Sequence, residues 1–175
     1  MTVTSVQTRE LSEQGSHTIS LFVHDRPGVL VRVALVFSRR GYNIESLVVS
    51  PAASGGFSRM TITCSGETAT LDQIILQLAK LVDVVSAIDH TGDEAYETEI
   101  ALIKLDVEDE SRTKVLQIAE HFNARVVDYA AKSIVLRVYG SSEKLDALIS
   151  LLLPSGVGEL VRSGKILMAR GSQST

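Results

Sequence analysis

The sequence predicts an α+β fold made of two ferredoxin-like βαββαβ units, and three observations predict it. Alternating apolar residues mark strands, apolar residues three and four apart mark helices, and the two patterns follow one another in the order βαββαβ. That order then recurs in the second half of the chain. Between the two runs lies a polar stretch containing Gly92, residues 91–97, which reads as a linker.

In the first half, HTISLFV at residues 17–23 places Ile19, Leu21 and Val23 on one face of a strand. Leu30, Val33, Ala34 and Phe37 then recur at helical spacing. Residues 43–50 return to a strand, 51–56 are turn chemistry, and 57–65 alternate again with Met60, Ile62 and Cys64 pointing inward. A second helix carries Leu71, Ile74, Ile75 and Leu78 as its buried stripe, and 82–88 make the fourth strand. Four antiparallel strands with both helices on one face leave the other face uncovered, and that face or a sheet edge would suit a second copy.

The second half repeats the plan more loosely. Residues 100–107 read as a strand, and Val115, Ile118, Ala119 and Phe122 as a helix stripe. Two further strands are expected at 125–129 and 133–139. Ser142 could cap a helix that buries Leu145, Leu148, Ile149 and Leu152, and 158–170 supply one or two closing strands around Ser163 and Gly164. The expected division is a loose N-terminal tail at 1–16, one unit at 17–90, the linker at 91–97, a second unit at 98–171 and a short tail at 172–175.

Composition narrows the function. The chain has 175 residues, an apolar fraction of 45% and a formal charge of −4. Its basic residues are scattered, so nucleic acid is not expected as a partner. No apolar run approaches the roughly 20 residues of a spanning helix, and the N-terminus lacks the apolar core of a signal peptide. One cysteine, Cys64, excludes an internal disulfide and suits a reducing cytoplasm; its strand position makes it a small core residue. His17, His24, His90 and His121 make no paired ligand spacing, so no metal site is expected.

The most informative stretch is DRPGVLVRVALVFSRRGYNIESL, residues 25–47. Pro27 suits a first helical turn, Asp25 can reach forward as a cap, and Gly28 removes a Cβ where backbone N–H groups project from the helix start. A carboxylate is favoured there by the helix dipole. Arg39, Arg40 and Gly41 suit the other end. Two readings stand side by side. Pro and Gly are ordinary helix punctuation, with Val29 and Leu30 as core and Asn43 as a strand-entry residue. Alternatively, N–H groups for a carboxylate, Asp25 or Asn43 for an ammonium, and neighbouring aliphatic side chains would suit a free aliphatic amino acid.

DRPGVLVRVALVFSRRGYNIESLVVSP, followed by SRMTI at 58–62 and KLVDV at 80–84, resembles the small regulatory subunits of acetolactate synthase, also called acetohydroxyacid synthase. FNARVVDY and EKLDALISLLLPSGVGELVRSGKILMARG extend the resemblance through the second half, so that it covers about residues 17–171. It implies that the first unit is an ACT domain, the amino-acid-sensing form of the ferredoxin-like fold, and that the chain has no catalytic residues and no cofactor of its own. The implied partner is a catalytic subunit that holds thiamine diphosphate, a divalent metal and usually a flavin. By resemblance the chain would activate that subunit and make it sensitive to valine or a related branched-chain amino acid, as a homodimer or higher assembly. The implied effector site lies between two ACT domains and carries over to Asp25, Gly28 and Asn43, with Val29, Leu30 and Ile44 adjoining. Some members have an amide where Asp25 stands, so the contact at this position would differ. The second half has no counterpart of DRPG; its first helix opens in the acidic EDESR of residues 108–112.

Two rivals share the topology. An acylphosphatase-like enzyme could use Arg26 and Asn43, but its phosphate loop would be richer in glycine. An RNA-binding module would need exposed aromatics on the central strands, where Arg59, Thr61 and Thr63 take the outward positions.

Overall fold

The computed structural model describes residues 15–93, 95–173 and 175. Most of the expected N-terminal tail, residues 1–14, lies outside the described residues, as do position 94 of the expected linker and 174 of the C-terminal tail.

The first unit comprises β1 (Gly15–His24), α1 (Val29–Arg39), β2 (Asn43–Pro51), β3 (Phe57–Gly66), α2 (Thr68–Leu78) and β4 (Val84–Asp89). Its sheet has the order β2-β3-β1-β4, every neighbour antiparallel. Ile19, Leu21 and Val23 pair with Ile62, Met60 and Ser58, so one face is apolar and takes both helices. The second unit comprises β5 (Tyr96–Asp106), α3 (Asp109–His121), β6 (Arg125–Tyr129), β7 (Ser133–Gly140), α4 (Ser142–Leu152), β8 (Val157–Arg162) and β9 (Ile166–Met168). Its strand order, β6-β7-β5-β8, repeats that of the first. Two separate cores follow, one under each sheet.

Several local expectations change. α1 buries Val29, Val33 and Phe37, spaced four apart, while Leu30 is 43% exposed; the helix is rotated from the stripe of Leu30, Val33, Ala34 and Phe37. β4 starts at Val84, because Leu81 and Val84 close successive turns onto Leu78 and Leu81 and leave Val82 in solvent. Ser141, in an extended conformation, caps α4 by accepting from the Lys144 amide; Ser142 is already helical, and its hydroxyl donates to Glu99 instead. β5 begins at Tyr96, inside the expected linker. There are two closing strands, and both pair with β5: β8 with residues 101–105, β9 with 96–98.

The outer face of the first sheet is not left open. Thr18, Ser20 and Thr63 lie on it and are buried. After β4 the chain continues beside β1, the His90 amide donating to Thr18 O at 2.8 Å and the Thr18 amide to Thr91 Oγ1 at 3.3 Å, and the His90 side chain lies on this face with Nε2 2.8 Å from Ser20 Oγ. The turn between β8 and β9 covers Ser46 and Val48.

Candidate functional site

Residues 26–29 form a β-turn. The Val29 amide reaches the Arg26 carbonyl at 3.4 Å, and Gly28 has φ 85° and ψ −8°. Those angles, with proline before the glycine, define a type II turn, in which the third position needs a positive φ that glycine supplies without steric cost. Pro27 is therefore the second residue of a turn rather than the first residue of a helix, and α1 begins at Val29. Asp25 does not cap α1; its amide instead donates to Gly56 O at 2.9 Å, tying the turn to the β2–β3 loop.

The helix start meets a cation that the sequence reading left out. A Cβ on Gly28 would come within 3.1 Å of Arg32 Nη1. Arg32 is held in place by Asp83, with Nε at 2.9 Å and Nη2 at 2.6 Å from Oδ2. Its position four residues after Gly28 is the available signal, since i and i+4 share a helix face. The Leu30 and Val31 amides belong to the first turn, which has no intrahelical acceptors. These amides and the guanidinium make the mouth of the turn favourable to a small anion.

The sequence-derived site residues fall in two groups. Asp25, Gly28, Val29 and Leu30 gather at the start of α1, with Asp25 and Gly28 exposed, Val29 buried at 3% and Leu30 half open. Asn43 and Ile44 open β2 at the other end: Asn43 is exposed beside Ser65, and Ile44 packs against the core. The 11 residues of α1 separate the groups by about 16 Å. One chain does not bring them together. α1 lies towards β2, however, and α2 towards β4, so both groups sit along the same side of the unit. Leu30, Val31 and Leu35 of α1 and Val49 of β2 are exposed.

Elsewhere, a cleft of about 480 Å³ opens at the junction of the two units, lined by Thr18, His90, Asp93, Glu97, Lys165 and Arg170 among others, and by none of the site residues. Within it Lys165 pairs with Glu97 at 2.8 Å, and His90 Nδ1 lies 3.3 Å from Asp93 Oδ2. On the first sheet's outer face Phe22 and Phe57 also point outward, on the two central strands, which the sequence reading did not count. They stack on each other at 4.9 Å with Arg59 over Phe22. Cys64 is fully buried, and burial, aided by the charges of Glu45 and Asp89, pushes its thiol up to about 12.

A βαββαβ unit with a glycine turn opening its first helix, joined to a second unit of the same strand order, defines an ACT-domain protein with a duplicated ferredoxin-like architecture. Residues 19–86 match the family model described as AHAS small subunit-like ACT domain, and residues 98–171 that described as small subunit of acetolactate synthase. The acetolactate synthase small subunit of Mycobacterium leprae is 42% identical over 156 residues, 89% of this chain and 92% of that one. The probable small subunit of Archaeoglobus fulgidus is 39% identical over 157 residues, 90% and 98% of the two chains. The crystal structure of the Thermotoga maritima small subunit superimposes with a TM-score of 0.81 at 34% identity, covering 91% of this chain and 99% of that one. The chain belongs to the acetolactate synthase small subunit family.

Proposed function

We propose that this chain is a non-catalytic regulatory subunit that activates an acetolactate synthase catalytic subunit and confers inhibition by valine or a related branched-chain amino acid. The observation that carries the reading is the placement of the two site groups at opposite ends of α1 along one side of the ACT unit. A two-fold axis beside the middle of α1 sets two such helices antiparallel. The Gly28 turn of one copy then faces Asn43 and Ile44 of the other, and two equivalent sites form. The exposed Leu30, Val31 and Leu35 of α1 and Val49 of β2 belong to the elements that such a pairing brings together.

In each site the effector carboxylate accepts from the first amides of α1 beside Arg32, and its ammonium meets Asp25 or the Asn43 amide group of the second copy. Leu30 and Ile44 flank its aliphatic side chain. Thiamine diphosphate, the divalent metal and the flavin belong to the catalytic partner, and a cytoplasmic location suits the pair. Mixing the purified chain with the catalytic subunit tests the reading. The chain alone should form no acetolactate from pyruvate, and it should raise the partner's rate several-fold. Valine should then lower that rate. A partner indifferent to the added chain would sink the proposal.

A further inference from the structure

The two units touch at a point with no free space. Gly164, φ 82°, turns the chain between β8 and β9 and is buried. A Cβ placed on it would lie 2.6 Å from Ser46 Cβ and 2.7 Å from Ser46 Oγ, with Val48 Cγ2 next at 3.5 Å. The turn backbone thus rests directly on β2, an approach only glycine allows. Ser46 is fixed in turn, its Oγ 2.6 Å from Thr63 Oγ1 on β3. Just before it the register of β2 on β3 shifts between Ile44 and Ser46, a bulge at Glu45 that makes the start of the strand a local irregularity. Asn43 and Ile44 stand immediately ahead of that bulge.

The other side of the turn is anchored to β5. The Ser163 amide donates to Ile100 O at 2.9 Å, the Ile100 amide donates to Ser163 Oγ at 3.1 Å, and Lys165 pairs with Glu97 at 2.8 Å. β5 is a central strand of the second sheet and carries both β8 and β9. Displacement at the start of β2 therefore meets Ser46, then Gly164, then β5, with no compressible gap between them.

We infer that the Gly164–Ser46 contact is the link through which an amino acid bound at Asn43 and Ile44 is read by the second unit. The inference rests on the effector reading above and adds the route of its signal. Gly164 acts as a positioning residue; it touches no effector.

A double-mutant cycle on the full chain tests it, using the unaltered protein, Gly164→Ala, Ser46→Gly and the double variant, each mixed with the catalytic subunit. Alanine at 164 brings the same backbone strain to the single and double variants. Ser46→Gly removes both atoms that stand under 3 Å, and the Ser46→Gly single variant accounts for the loss of its bond to Thr63, so the cycle isolates the clash. Valine binding is measured by calorimetry on the chain alone, and inhibition on the complex. All four proteins should bind valine. In Gly164→Ala the concentration for half inhibition should rise about tenfold above its binding constant, and the double variant should restore the match. Inhibition of a well-folded Gly164→Ala at the same valine concentration as the unaltered protein, or a double variant as uncoupled as the single, overturns the link. Hydrogen exchange on the unaltered complex decides the matter even if Gly164→Ala fails to fold: valine should change protection at 163–165 and Ile100, and unchanged protection overturns the link. Absence of valine binding by the unaltered chain would instead sink the effector reading itself.

Discussion

Gly28 answers to two demands at once, the positive φ of a type II turn and an unobstructed approach to the helix start. They separate by substitution. Asn and Asp tolerate the left-handed region better than other residues, at a cost on the order of 1 kcal/mol, so Gly28→Asn and Gly28→Asp should both lower the melting midpoint, Gly28→Asp by less because its carboxylate meets the helix start and Arg32. Only the carboxylate also repels a bound carboxylate. Gly28→Asp should abolish valine inhibition while activation survives, and Gly28→Asn should show how much of that loss is shape alone. Titration of valine against the activated complex, with circular dichroism as the folding control, checks both. Cys64 gives a second test at this scale. Burial raises its thiol from 9.0 to about 12, so between those values the folded chain keeps a proton that the unfolded chain loses. Its contribution to stability is whole below pH 9 and declines as pH rises towards 12. The denaturation midpoint should fall over that window, and less steeply in Cys64→Ala; equal slopes would refute the assignment.

At the scale of elements, α4 shows how adjacent serines divide their work. Ser141 satisfies a helix-start amide through a long 3.4 Å bond, and Ser142 reaches a buried carboxylate on β5. That carboxylate, Glu99, is 5% exposed and also takes Arg162 of β8, whose Nε lies 2.9 Å from Oε2. Ser141→Ala should therefore cost about 0.5–1 kcal/mol, the lower part of the capping range. Arg162→Ala leaves Glu99 buried with its charge uncompensated and should cost about 3 kcal/mol or more. Urea denaturation of the two variants should rank them in that order. An Arg162→Ala protein as stable as the parent would mean that Glu99 finds another partner.

For the whole molecule the question is which surface a second copy covers. The outer face of the first sheet is an obvious candidate, but the His90 side chain and the β8–β9 turn of the same chain already lie against parts of it. The side formed by α1 and β2 remains. Val31, on the solvent side of α1, is 61% exposed and makes no part of the core. Val31→Lys should leave the monomer's stability nearly unchanged yet disrupt the pairing and, because each site needs two copies, weaken valine binding with it. Light scattering and calorimetry on the same sample check this. A dimeric Val31→Lys protein with normal binding would place the interface elsewhere.

Local chemistry determined what the sequence alone could tell. Period-2 and period-3.6 patterns report each residue's immediate surroundings, which is why Ile19, Leu21 and Val23, or Leu145, Leu148 and Leu152, were legible as core. The glycine-opened start of α1 and the family resemblance were equally readable, because they are contiguous, whereas the type II turn reads from sequence as the first turn of the helix. Which of Val29 and Leu30 turns inward was not, since it depends on how α1 is rotated against a sheet assembled from distant strands. The one-helix separation of Gly28 from Asn43, the clamp of Arg32 by Asp83, and Gly164 resting on Ser46 across more than a hundred residues were likewise settled only by packing. Those contacts depend on the relative placement of whole elements, and no window of sequence contains both sides of them.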